Sequence, residues 1–292
     1  MRCLGWELKM HDDTRSLKPV PRSAVMLTIS AIVAAAAASI ITLAWAGSFR
    51  DASPESIENG VLAEARGWSA ATLLVSIPLA VASLRAARRG SIRGRLVWLG
   101  GLVYFVYTYL EFAVSPPFSA LYLPYVVAFA SAVCALVIGV GQVDVAELPM
   151  AFGDRVPRVR VVIFSFLFVA LLASAWLGDI ASRTLAGTFG WPVGKAAVQH
   201  VVHALDLGLQ VPLGVATGVL LLRRSAAGLL LAAIMLVNVV CMGAALTGMA
   251  LWSTTDAGTS AWVAAPFAFV CLIGVALAIV FFRSARSEPG AS

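Results

Sequence analysis

The chain has 292 residues, 60% hydrophobic and only 12% charged, with a mean hydropathy of +0.91, a composition that excludes a water-soluble globular domain. Its formal net charge of +6 would suit a nucleic-acid surface, but the basic residues are placed as orientation signals for a bilayer, so no nucleic-acid partner is expected. The connections between apolar stretches are short, which leaves room for polar fringes and none for a tethered soluble module.

The apolar stretches run, in order, from Ser23 to Ala46, Gly67 to Leu84, Leu96 to Ser115, Leu121 to Gly141, Val161 to Leu177, Val198 to Leu222, Ala226 to Trp252 and Ala261 to Phe282. Each is close to the ~20 residues a helix needs to cross ~30 Å of hydrocarbon. The expected fold is therefore an all-α polytopic bundle of eight spans, with the lipid bilayer as its solvent. Residues 1–22 and 283–292 form tails, 23–141 a first four-helix repeat, 142–160 a linker and 161–282 a second four-helix repeat.

Ala44-Trp45-Ala46 supplies a cleavage-like pattern after the first span. That span is longer than the ~7–15 residues of a signal-peptide core, so it is read as retained. Placing both termini in the cytoplasm leaves only Arg50, Arg66, Arg183 and Lys195, of 21 basic residues, on the outer side. Trp45, Trp68, Trp176, Trp191, Trp252 and Trp262 then cluster at outer span ends, as a headgroup belt would, and the expected location is the plasma membrane. The Arg85 to Arg95 loop reads as a cytoplasmic stop signal touching anionic lipid. With Cys3 in the tail and Cys134, Cys241 and Cys271 inside spans, no extracellular disulfide framework is expected, and the cysteines read as buried small hydrophobes.

The halves resemble each other. Pro78 to Ser83 (PLAVAS) in the second span matches Pro212 to Thr217 (PLGVAT) in the sixth, each followed by a twin arginine, Arg88-Arg89 and Arg223-Arg224. Trp45-Ala-Gly47 matches Trp176-Leu-Gly178, and Val133-Cys134 matches Val270-Cys271. Four matches in chain order, with one loop rhythm, predict a tandem duplication of a four-helix unit. Because four is even, the halves share orientation, and the seam between them is a natural place for a site.

Ionisable residues among lipid tails are costly and mark function or packing. Two carboxylates qualify, Glu111 in the third span and Asp206 in the sixth. At 100° per residue, Tyr104, Tyr107, Thr108 and Ser115 share the face of Glu111; Gln199, His203 and Gln210 share that of Asp206. Measured from Arg95 and Arg223, the carboxylates stand about 24 and 26 Å up the bundle, at nearly one level. Tyr107, Gln210 and Asn238 form a slightly deeper ring, with Pro212 expected to kink the sixth helix.

These placements predict a polar pocket in the outer half of the bilayer, lined by Tyr104, Tyr107, Glu111, His203, Asp206, Gln210 and Asn238 and opening to the extracytoplasmic side. The competing reading is a polar network that locks the helices together. No metal or other cofactor is expected: His200, His203 and Asp206 splay around the helix, and the remaining histidine, His11, lies in the tail. No phosphate loop, nucleophile elbow, HExxH or DxxD-type motif points to an enzyme. The expected function is proton- or ion-linked transport or permeation of a small solute. A sensor, scaffold or assembly partner is the alternative, and a membrane enzyme acting on lipid the second. Ser53-Pro54-Glu55 reads as a helix start, and Asp179 to Gly190 as a short interfacial helix; paired, they would form lids.

Overall fold

In lipid every backbone N–H and C=O must find its partner within the chain, and a run of apolar residues meets that demand as a helix. The computed structural model describes residues 19–45, 60–115, 119–188, 195–256 and 261–285, and eight of its helices are long and apolar enough to span a membrane. They are α1 (Arg22–Ala44), α2 (Val61–Arg88), α3 (Ile92–Val114), α4 (Tyr122–Gly141) and α5 (Arg158–Leu185). Next comes α6, a helix Lys195–Leu205 that runs through a π-helical turn Asp206–Gln210 into Val211–Leu222; α7 (Ala226–Asp256) and α8 (Ala265–Ser284) follow. The Ser53-Pro54-Glu55 helix start, the Trp191 belt position, Cys3 and His11 lie outside the described residues.

Two boundaries differ from the sequence reading. α2 begins at Val61, before the apolar run proper. Asp179 to Leu185 is no separate interfacial helix but the last turns of α5. An Asp179–Arg183 pair at i,i+4 (2.8 Å) carries the helix past the apolar segment, and the hydroxyls of Ser182 and Thr184 bond back to Asp179 O and Ile180 O.

In the first half α1 packs on α4 and α2, and α3 packs on α2 and α4, closing a ring of four helices. Small residues allow the closure. Ala31, Ala35 and Ala38 of α1 and Ala128, Ala132 and Ala135 of α4 are buried, and Ser131 donates to Ser30 at 3.1 Å. In the second half α5 packs chiefly on α6 and α8 on α7, and these outer helices do not close on each other as α1 and α4 do. α1 meets α4 through buried alanines, whereas α5 carries Phe168, Leu171 and Leu172 on the side that looks across a cavity to α8. Across the seam α7 packs on α2 and α3, and α3 touches α6; α3 and α7 are the most buried spans, α5 and α8 the least.

The seam is tight on one side. α2 crosses α7 at Gly67 and Gly248, where a Cβ on Gly248 would stand 2.6 Å from Gly67 O. Counting 134 positions on from Gly67 reaches Val201 in α6, and 134 back from Gly248 reaches Val114 in α3. These positions hold valines rather than glycines, and α3 and α6 approach each other far less closely than α2 and α7 do.

That separation of 134 positions recurs throughout 61–94 and 195–228. Val61–Ala71 and Lys195–Leu205 are each 11 residues, the π-turns Thr72–Ser76 and Asp206–Gln210 each 5, and Ile77–Arg88 and Val211–Leu222 each 12. Pro78 and Pro212 each follow their π-turn, where the extra residue absorbs the N–H a proline lacks. The hairpin turns match too: Ser91 N donates to Ala86 O (3.1 Å) as Ser225 N donates to Leu220 O (2.9 Å). Gly90 and Arg224 both take positive φ, +91° and +53°. The structural register thus pairs Arg89 with Arg223 and Gly90 with Arg224, one residue away from aligning the twin arginines.

At the arginine-bearing end several charged residues do more than fringe the bundle. Arg95 is buried and donates Nη1 to Gln142 O (3.0 Å), and Arg93 donates Nη2 to Ala285 O. The linker 142–160 is pinned under α7 and α8 by buried Leu148 and Phe152, whose ring lies 4.8 Å from that of Phe281. At the other end Trp45 and Trp262 are exposed. Trp68 is instead buried edge-on against Phe112, because the α2/α7 crossing draws its helix into the core. Among the described cysteines only Cys241 is buried; Cys271 is half-buried and Cys134, on α4, is exposed.

Candidate functional site

Asp206 opens the π-turn of α6, and the wider turn aims its carboxylate across the seam rather than along its own helix. Tyr107 of α3 donates its hydroxyl to Oδ1 at 2.6 Å, and Trp176 of α5 donates Nε1 to Oδ2 at 2.8 Å. Three helices thus meet on one buried carboxylate. Short bonds to a charged acceptor are the strong class of hydrogen bond.

His203, one turn back on α6, places its ring 4.5 Å from that of Trp176 and its Nε2 3.7 Å from Asp179 Oδ2. Asp179 also accepts from Arg183 Nε. The tryptophan is held between two polar groups of α6 and is itself part of the site. Depth on α5 could have revealed this: Trp176 stands 16 residues from Arg160, as Glu111 does from Arg95.

Glu111 lies on the same face of α3 as Tyr107, one turn nearer the tryptophan-bearing end, within electrostatic reach of Asp206 and of Glu64 on α2. It is 6% exposed, and its Oε2 is buried with no hydrogen-bond partner. A buried acceptor left in that condition marks a place for a proton, a water or a ligand.

Gln210 closes the π-turn and accepts from Asn238 Nδ2 of α7 at 2.9 Å, while Asn238 Oδ1 is buried without a partner. Tyr104 departs from the expected group. Its hydroxyl lies 2.6 Å from Thr72 Oγ1, at the head of the π-turn in α2. Thr72, Ser76 and Tyr104 stand to Asp206, Gln210 and Asn238 at the separation of 134 positions. One half thus holds hydroxyls where the other holds a carboxylate and two carboxamides.

Asp206, Gln210 and Asn238 line a cavity of roughly 340 Å³ between α5, α6, α7 and α8. Its other walls are apolar, among them Phe168, Leu172, Met242, Phe267 and Val270, with the Trp176 ring beside Asp206. Ala175 and Pro266 on the two outer walls are exposed, so the cavity meets its surroundings through the gap between α5 and α8. Tyr107, Glu111, His203 and Tyr104 do not line it: the first three stand behind or beside Asp206, and Tyr104 belongs to the other half. The expected single pocket is therefore a cavity with a polar floor, backed by a carboxylate network that crosses the seam.

Among the described residues no group of three or more His, Cys, Asp or Glu side chains is placed to hold a metal ion. Comparisons with protein-family models, with curated proteins and with solved structures find no match for this chain.

Proposed function

We propose that this chain is a tandemly duplicated, proton-linked membrane transporter for a small solute, seated in the plasma membrane with both termini in the cytoplasm. The observation that carries the reading is the placement of Asp206: on a π-turn, at the seam, bonded from α3 and α5, and on the floor of a cavity. A carboxylate so placed couples a proton to helix position. While charged it holds the Tyr107 hydroxyl and the Trp176 N–H; a proton on it removes the charge those donors answer and loosens α5 from α6. The groups around it are Tyr107 of α3 and Trp176 of α5, which bond it, and Glu111 of α3 within electrostatic reach, with Glu64 of α2 beyond Glu111; His203, one turn back on its own helix, turns toward Asp179 of α5. A π-turn followed by proline is a natural hinge, because the local ladder is already interrupted there.

The matched 61–94 and 195–228 segments support duplication, and the arginines at one end with exposed Trp45 and Trp262 at the other support the orientation. The test is proton flux in proteoliposomes carrying a trapped pH-sensitive dye, under an imposed potential. Wild-type protein should acidify the lumen faster than protein-free vesicles, and Asp206→Asn and Glu111→Gln should return the rate to that baseline. Flux equal in wild type and both variants, or absent in all three across added amines, acids and sugars, overturns the reading.

A further inference from the structure

The cavity floor offers acceptors. Asp206 presents a carboxylate, Gln210 a carbonyl already shared with Asn238, and Asn238 an Oδ1 that is fully buried without a partner. No lysine, arginine or histidine is among its lining residues. A buried carbonyl left unmet is costly, so an occupant that brings an N–H recovers what the empty floor forgoes. The Trp176, Phe168 and Phe267 rings around that floor are faces that attract a cation.

The remaining walls are apolar, and the opening lies between two helices at bilayer depth. A water-soluble solute would have to leave water and cross lipid to enter; a molecule already dissolved in the bilayer would not. At roughly 340 Å³ the cavity is near the lower end of the ~300–1,000 Å³ range of ligand pockets. That suits a head and the first stretch of chain, with the rest of the tail left among the lipids.

We infer that the cavity between α5 and α8 binds an amphiphile with a primary amine head, entering sideways from the bilayer, its ammonium on Asp206 and Asn238 and its chain between Phe168, Leu172, Phe267 and Val270. The closed α1/α4 ring offers no such entry, and its π-turn carries Thr72 and Ser76 where Asp206 and Gln210 stand, so the site belongs to the second half alone. This inference takes the transport reading's site as given but concerns binding, so it can fail while proton flux persists and hold where flux is absent.

The experiment uses full-length protein in phosphatidylcholine nanodiscs. Dodecylamine bearing a diazirine midway along its chain is photolysed, and the adducts are mapped by peptide mass spectrometry. Adducts are expected on α5 around Phe168–Ala175 and on α8 around Pro266–Val270, competed by unlabelled dodecylamine and at least tenfold less by dodecanol or dodecanoate. Leu172→Trp and Val270→Trp, which fill the cavity from its lipid-facing walls, should cut labelling about tenfold; Asp206→Asn should weaken competition by the amine about 10-fold or more while leaving that by dodecanol unchanged. Equal competition by amine, alcohol and acid would mean ordinary lipid fills the gap and would overturn the proposal. So would dodecyltrimethylammonium competing as well as the primary amine, adducts indifferent to both tryptophan variants, or α5 and α8 found covered by a second copy of the chain.

Discussion

Tyr107 and Trp176 do unequal chemistry from equal positions, since each gives one donor to one oxygen of Asp206 but only tryptophan also faces the cavity. A hydrogen bond to a charged partner contributes about 1.5–3 kcal/mol. Tyr107→Phe should therefore lower stability by about 2 kcal/mol, and pairing it with Asp206→Asn should cost less than the two single losses together, because both remove one interaction. Thermal unfolding in detergent, run as a double-mutant cycle, reads this; strict additivity would show that the bond contributes nothing. Arg224 offers the opposite sign. It holds a left-handed conformation that its counterpart Gly90 adopts without strain, and such a residue costs ~1–2 kcal/mol against glycine. Arg224→Gly should raise the unfolding midpoint, and an unchanged or lowered midpoint would mean that the guanidinium makes up the difference elsewhere.

Among elements, the two seam crossings differ in what they tolerate. At α2/α7 the backbones of Gly67 and Gly248 meet with no room for a Cβ, so Gly248→Val must push the helices apart. Overpacking of this kind costs about 1–3 kcal/mol, and here the obstacle is backbone, which cannot rotate away. At the looser α3/α6 crossing, Val201→Leu should be nearly silent. Size-exclusion profiles and unfolding midpoints of the two variants make the comparison; equal damage would refute the asymmetry. The same contrast explains the outer helices, where alanines let α1 settle on α4 while phenylalanine and leucine on α5 leave the second ring open.

For the whole molecule, orientation is the testable quantity. On a cysteine-free background, Arg89→Cys should resist a membrane-impermeant maleimide in intact cells and react after permeabilisation, while Ser48→Cys should react at once; the reverse pattern would invert the topology. Eight helices were legible in the sequence because hydrocarbon leaves a long apolar run no other backbone solution. The matched π-turns were half legible: the PLAVAS and PLGVAT segments fixed the register, but nothing in a one-dimensional pattern says that the ladder widens before each proline. Glu111 and Asp206 stand out in the sequence as carboxylates among apolar residues, and the fold brings them within electrostatic reach of each other. Depth and helical face do not tell which neighbouring helix a side chain meets, which is why the sequence places Trp176 in a belt and Tyr104 at the site while the fold sets Trp176 on Asp206 and Tyr104 on Thr72.

Span number, helix faces and the separation of 134 positions are local or periodic properties, carried by each residue's own hydropathy and spacing, and the chain determines them before it folds. Whether a ring of four helices closes depends on the sum of side-chain volumes facing one another from distant segments. That sum exists only once α5, α6, α7 and α8 are side by side, and it is what leaves Asp206 at the floor of a cavity in one half while its counterpart Thr72 lies packed against Tyr104 in the other.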